Sequence, residues 1–300
     1  MFKRLLVPLD GSSLAESVLP TVVYLARTIG ASVTLIHVIE RNAPPEIHGE
    51  RHLTNSADAC TYLAAVTDHV FPAEVKVEQH VHSSEVNDVA RTITEHVDEF
   101  ESDLIVMCTH GRGGLRDWLF GSIAQQVIAL DTTPTLLVQP TPAGGAPAFN
   151  CRHMLVPLDG DPDHERGLPV ASGLARACAA QLHLVMVVPT LPTLPRQQAA
   201  AARLLPGTTT ALLDLTQQRA EAYLDNWVTK LQAVAVTAEV GRGDPVEIIV
   251  RTARQVHADL IVLGTHGKKG ADAFWSGSVT PKISGRSRRP LLLIPVRDSA

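Results

Sequence analysis

The chain repeats itself, and that repeat limits the fold more than any other feature. "DLIVMCTHG" at 103–111 returns as "DLIVLGTHG" at 259–267. "KRLLVPLDGS" at 3–12 returns as "RHMLVPLDGD" at 152–161, and "ARTIGASVTLIHVI" at 26–39 as "ARACAAQLHLVMVV" at 175–188. "TPTLLVQP" at 133–140 returns as "RPLLLIPV" at 289–296. The offset grows from 149 residues (Asp10 to Asp159) to 156 (Gly111 to Gly267), so the second copy carries a few insertions. Copies of about 145 residues are the size of whole domains and too long for solenoid units. The expected division is a first domain at 1–140, a linker at 141–150 and a second domain at 151–300. The linker lies within the Pro, Gly and Ala-rich stretch "QPTPAGGAPAFN" at 139–150.

Inside the first copy, short apolar runs alternate with longer amphipathic stretches. "RLLVPL", "SVTLIHVI", "EVKVEQHV", "DLIVMC" and "PTLLVQ" read as strands. "SLAESVLPTVVYLARTIG", "SADACTYLAAVTDHV", "EVNDVARTITEHVDEFE" and "SIAQQVIALD" read as helices, the first capped by Gly30. Near-continuous apolar strands between helices predict an α/β fold, with a five-stranded parallel sheet covered on both faces in each copy. Ligands of such sheets sit beyond the carboxyl ends of the strands, near the switch in strand order. The two copies are expected to carry separate sheets, and one continuous sheet would end this reading. "TLLVQ" and "LLLIPV" are candidate edge strands for pairing across a domain or dimer interface.

Composition narrows the function. A 300-residue chain that is 45% hydrophobic and 19% charged is in the range of soluble globular proteins. A net charge of −5 argues against a nucleic-acid-binding surface over the whole molecule. No stretch approaches the roughly 18 apolar residues of a membrane span, and the N-terminal apolar run stops at Pro8 and Asp10, too short for a signal peptide. Cys60, Cys108, Cys151 and Cys178 lack paired spacing and read as reduced thiols. A cytoplasmic protein is expected.

The segment "GTHGKKGADAFWSGS" at 264–278 leaves a strand and ends at a helix start, and "CTHGRGGLRDWLFGS" at 108–122 copies its spacing. Glycines allow close backbone approach, and free N–H groups at a helix start favour an anion such as phosphate. The pattern is neither of the two common phosphate loops. An Asp at the end of the first strand faces the same crevice. Taken together, V-P-L-D at strand 1, an apolar strand 2 and G-x2-G-x9-G-[ST] after strand 4 resemble the universal stress protein family, and the resemblance covers nearly the whole chain, twice. It implies a flavodoxin-like fold, related to the adenine nucleotide α-hydrolases, and ATP as ligand.

The resemblance also implies site residues. In the second copy these are Pro157 and Asp159 by the adenosine, Val187 and Leu263 flanking adenine, and Gly264 against the ribose. Gly267, Gly277, Ser278 and Val279 would hold the phosphates. In the first copy the matching residues are Pro8, Asp10, Val38, Met107, Gly111, Gly121, Ser122 and Ile123, with Cys108 where the second has Gly264. The second copy is therefore expected to keep the ordinary site, and the first to bind nucleotide more weakly or differently.

Eight of the thirteen histidines precede the linker. His48 and His52 share a face if "HGERH" is helical, and His80 and His82 share one side of a strand. With the Cys108 thiolate they form a candidate set for Zn2+ or another divalent ion. Three readings follow. The first is an adenine-nucleotide-binding regulator of the stress response, non-catalytic, its two domains pairing within the chain, with a further dimer of chains as an alternative. The second is a slow ATP hydrolase, disfavoured because no loop lysine stands at P-loop spacing and no clear Mg2+-binding carboxylate stands beside the glycines apart from Asp10 and Asp159. The third is a metal-dependent sensor or scaffold.

Overall fold

The computed structural model describes residues 1–47, 49–109, 122–141, 145–194, 199–200, 202, 204–266 and 279–296. The first half runs β1 (Arg4–Pro8), α1 (Ser13–Glu16), α2 (Leu19–Ile29), β2 (Ser32–Glu40), β3 (Glu46–Ile47), β4 (Glu50–Arg51), α3 (Ser56–Val70), β5 (Val77–Val86), α4 (Val89–Glu99), β6 (Leu104–Cys108), α5 (Ser122–Leu130) and β7 (Thr135–Val138). The second runs β8 (His153–Leu158), a 3-10 turn (His164–Arg166), α6 (Gly167–Cys178), β9 (Gln181–Val188), α7 (Pro206–Lys230), β10 (Ala235–Arg242), α8 (Pro245–Gln255), β11 (Leu260–His266), α9 (Val279–Ser287) and β12 (Leu291–Val296).

The strand order is β10-β9-β8-β11-β12-β7-β6-β1-β2-β5. In this sheet every pairing within one half is parallel, as the apolar runs predict. The expectation of two separate sheets does not hold. β7 and β12 pair antiparallel through Leu137–Leu291, Leu136–Leu292 and Thr135–Leu293, which makes one ten-stranded sheet. The reason lies in the edges. Either five-stranded sheet alone would leave a fully apolar edge strand with unpaired backbone groups, and each edge covers the other. Gln139 adds to the seam, donating from Nε2 to the carbonyl oxygen (2.6 Å) and hydroxyl (2.9 Å) of Ser284.

Alternation along the strands sorts side chains onto two faces. Leu5, Val7 and Leu35 join the core under α2 and α3, while Leu6, Ile36 and Val38 join the core under α4 and α5. Both cores continue into the second half, through Met154 and Leu182 on one face and Leu155 and Val185 on the other.

The repeated short motifs have local causes. Asp103 accepts hydrogen bonds from the backbone N–H groups of Lys3 and Arg4, and Asp259 from those of Arg152 and His153. The Asp of each "DLIV" thus fastens the start of β1 or β8 to the neighbouring strand. Gly30 ends α2 at φ 68°, in the left-handed region. Asp88 and Asp244 cap α4 and α8 by accepting from the backbone of Arg91 and Glu247. The single helix expected over 13–30 is two helices, because Pro20 has no N–H to bond the Glu16 carbonyl. "HGERH" is not helical. β3 and β4 pair antiparallel there, with Gly49 between them at φ 82°, and His48 lies outside the described residues.

Candidate functional site

In the first half the strand order is β5-β2-β1-β6-β7, so the direction in which successive strands are added reverses between the parallel β1 and β6. A cavity of about 270 Å³ opens beyond the carboxyl ends of these two strands, where the fold class places ligands. Pro8 and Asp10 form its wall at the end of β1, Val38 and Glu40 at the end of β2, and Met107 and Cys108 at the end of β6. Val89 and Ile93 of α4 close one side, and Ser122, Ile123 and Ala124 bring the start of α5 to it. Six of the eight residues that the family resemblance names in the first half therefore line one space, and Gly111 and Gly121 lie outside the described residues.

The polar groups of this cavity are held from behind. The Asp10 carboxylate accepts from the Ser12 backbone (2.9 Å) and hydroxyl (2.6 Å), a local turn that starts α1. Glu50, carried by the β3–β4 hairpin, accepts from the backbone (2.9 Å) and hydroxyl (2.6 Å) of Ser13. The hairpin is thereby tied across the first turn of α1. Behind it His52 is buried, with Nδ1 3.2 Å from the Pro44 carbonyl oxygen. His37 is buried too, its two ring nitrogens 2.7 Å from the Leu9 carbonyl and 3.1 Å from the Leu53 carbonyl. The Cys108 thiol is half-buried and lies 3.6 Å from the Ser17 hydroxyl.

The corresponding region of the second half is built differently. Pro157 and Leu263 sit on β8 and β11, Val187 on β9, and Val279 at the start of α9. Gly267, Gly277 and Ser278 lie outside the described residues. A Cβ added at Gly264 would stand 2.5 Å from the carbonyl oxygen of His164 and 2.7 Å from its Cα. Here glycine is needed by the chain's own backbone, since the 3-10 turn leans on it. The side chain of His164 reaches Asp159, with Nδ1 2.7 Å from Oδ2, while Oδ1 accepts from the Asp161 N–H at 3.0 Å. Burial acts to raise the Asp159 carboxyl, but these hydrogen bonds outweigh it and hold the carboxyl below the usual range. The hydrogen bond to Asp159 raises His164 above the usual imidazole range against its burial. The Asp159 carboxylate is thus engaged by His164 and the Asp161 N–H, and the turn at His164–Arg166 packs against Gly264.

The histidine set also differs from expectation. His80 and His82 do share one side of β5, and their partner is His96 on α4. His52 and Cys108 belong instead to the wall of the cavity. His96 was missed because it is not near the other two in sequence. A signal was present all the same: Ala90, Ile93 and Val97 mark the buried stripe of α4, and His96 falls on it. Among the described residues, His80, His82 and His96 form the group of His, Cys, Asp and Glu side chains able to hold a metal ion. No helix among the described residues is long and apolar enough to cross a membrane.

The profile of the universal stress protein family matches residues 1–139 and again 150–295. A universal stress protein of Synechocystis sp. is 30% identical over 138 residues, 46% of this chain and 86% of that protein. A universal stress protein of Bacillus subtilis is 26% identical over 159 residues, 46% of this chain and all of that protein. Among solved structures, a universal stress protein from Archaeoglobus fulgidus superposes with a TM-score of 0.68 at 18% identity, covering 99% of this chain and 97% of the other. A protein of unknown function from Pseudomonas aeruginosa gives 0.70 at 14% identity, covering 98% and 93%. At such identities the structures establish the shared fold alone. The two profile matches together span nearly all of the sequence, and the chain belongs to the universal stress protein family, in a tandem form.

Proposed function

We propose that this tandem universal stress protein is a cytoplasmic regulator that binds an adenine nucleotide, ATP first, in the cavity of its first half. Its two domains, 1–140 and 151–300, are joined by the linker 141–150 and act as an internal pair. One observation carries the reading: the first-half residues that the family resemblance assigns to nucleotide, Pro8, Asp10, Val38, Met107, Ser122 and Ile123, line a single cavity. Its volume is at the small end for small-molecule sites. Apolar Val38, Met107, Ile36 and Ile93 suit the faces of a purine, and Asp10 suits a ribose hydroxyl or an adenine edge. The start of α5 offers backbone N–H groups to phosphate.

The same lining argues for binding over turnover. Its titratable groups are Asp10, Glu40, His37, His52 and Cys108, with no Lys or Arg among the described residues. Phosphoryl transfer relies on cationic groups that stabilise charge on the transferred oxygens. Hydrolysis is therefore expected to be slow, and the output is a change of conformation or partner.

The second half was expected to hold the better site. The geometry favours the first, because the His164 backbone occupies the approach to Gly264 while Cys108 borders open space. The test is mass spectrometry of small molecules released from the purified chain, followed by calorimetric titration with ATP. Ala15→Phe puts a ring into the cavity and should remove binding. Unchanged ATP affinity in that variant, with the fold intact by circular dichroism, rejects the first-half site.

A further inference from the structure

The histidine cluster on the first half stands apart from the nucleotide reading and has a geometry of its own. Nε2 of His80 lies 3.0 Å from Nε2 of His96, and Nδ1 of His82 lies 3.2 Å from the same nitrogen. All three ligand atoms fall within 4.8 Å of one another. Ligands at 2.0–2.1 Å around a tetrahedral zinc stand on the order of 3.3 Å apart, close to the two shorter separations.

Hydrogen bonding alone does not satisfy this arrangement. A ring nitrogen offers one proton or one lone pair, yet Nε2 of His96 faces two imidazole nitrogens. Its tautomer is set from the other side: Nδ1 of His96 is 3.0 Å from Oε2 of Glu99. With Nδ1–H donated to that carboxylate, Nε2 is left with a bare lone pair aimed at His80 and His82. Metal-bound histidines are oriented in this way, the second nitrogen donating to a carboxylate. We propose that His80, His82 and His96 bind one divalent transition-metal ion, zinc by its donor set, with Glu99 orienting His96.

A further observation supports it. The second half shows that the fold does not require the cluster. By strand register and helix cap, Glu239 stands in the place of His80, Gly241 in that of His82 and Thr252 in that of His96. There the Thr252 hydroxyl donates to Glu239, and Ile248 fills the space beside Gly241. One ion at this site follows, with the fourth position open to water beside the half-buried His80 and His82. Such an ion ties β5 to α4. α4 also supplies Val89 and Ile93 to the cavity wall, so loading would stiffen that wall.

The experiment uses the full chain, stripped with chelator and titrated with ZnCl2 against a chromophoric competitor, with MgCl2 as control. The expected result is one equivalent of zinc, no magnesium, and a Co2+ form with the visible absorption of a tetrahedral site. Loss of the buried His96 could unfold α4, so the β5 pair carries the test. His80→Ala/His82→Ala should lose the equivalent while keeping the parent's circular dichroism. Glu99→Gln should weaken binding about 10–100-fold. No zinc bound by the parent, or zinc that persists unchanged in the double variant, overturns the proposal.

Discussion

The carbonyl oxygen of His164 lies 2.5 Å from where a Cβ on Gly264 would stand, so the glycine of the second "THG" loop is held by its own chain. Gly264→Ala must push the 3-10 turn off β11. Overpacking of this kind costs about 1–3 kcal/mol. Urea unfolding should show a lower midpoint. Cys108→Gly, at the equivalent place in the first half, removes a half-buried thiol beside Ser17 without forcing any backbone apart, and should shift the midpoint less. Equal midpoints for parent and Gly264→Ala would mean that the turn does not pack there in solution.

The pair Asp159–His164 gives that turn a pH signature. The folded-state pKa of His164 is raised above 6.5, so its stabilisation is complete below pH 6.5 and is lost as pH rises through the higher folded value. The pKa of Asp159 is lowered below 3.8, so its part is complete above pH 3.8 and is lost as pH falls through the folded value. The pair is therefore strongest between pH 3.8 and 6.5. In an NMR titration His164 should titrate above the ordinary value, and Asp159→Asn should bring it back down. A normal midpoint for His164 in the parent would show the pair open in solution.

Much of this fold was legible because it rests on local pattern. The run "RLLVP" is apolar on both faces and becomes a central strand, and Gly30 stands where α2 needs positive φ. The strand-end residues Pro8, Asp10, Val38 and Met107 converge because parallel strands bring their carboxyl ends together. What escaped depends on contacts distant in sequence. Nothing in "TLLVQ" says that its partner is "LLLIPV" rather than a second chain. His96 reaches His80 only through the packing of α4 on β5. The reading of Cys108 against Gly264 weighed one side chain, whereas the backbone of the His164–Arg166 turn separates the two halves more sharply.

Cys108 offers a direct probe of the cavity. It is half-buried in the wall, whereas Cys60 is exposed on α3 and does not line it. With ATP present, alkylation of Cys108 by iodoacetamide should slow at least several-fold, and that of Cys60 should not change. Peptide mass mapping reads both rates in one sample. Equal protection of both, or of neither, would place the nucleotide elsewhere.

The seam between halves yields the last expectation. β7 is buried along its whole length and apolar from Leu136 to Val138, and its outer edge is covered by β12. A chain of residues 1–140 alone would expose that edge, with its unpaired backbone groups and the Leu136 and Leu137 side chains. The β7–β12 pairing is antiparallel, which is also the arrangement two copies of β7 adopt around a two-fold axis. The isolated first half should therefore dimerise through β7, and Leu136→Lys should shift it to monomer or aggregate. Light scattering after size exclusion gives the mass directly. A stable, soluble monomer from residues 1–140 would mean that the edge needs no partner, and that β12 is a neighbour rather than a requirement for the first half.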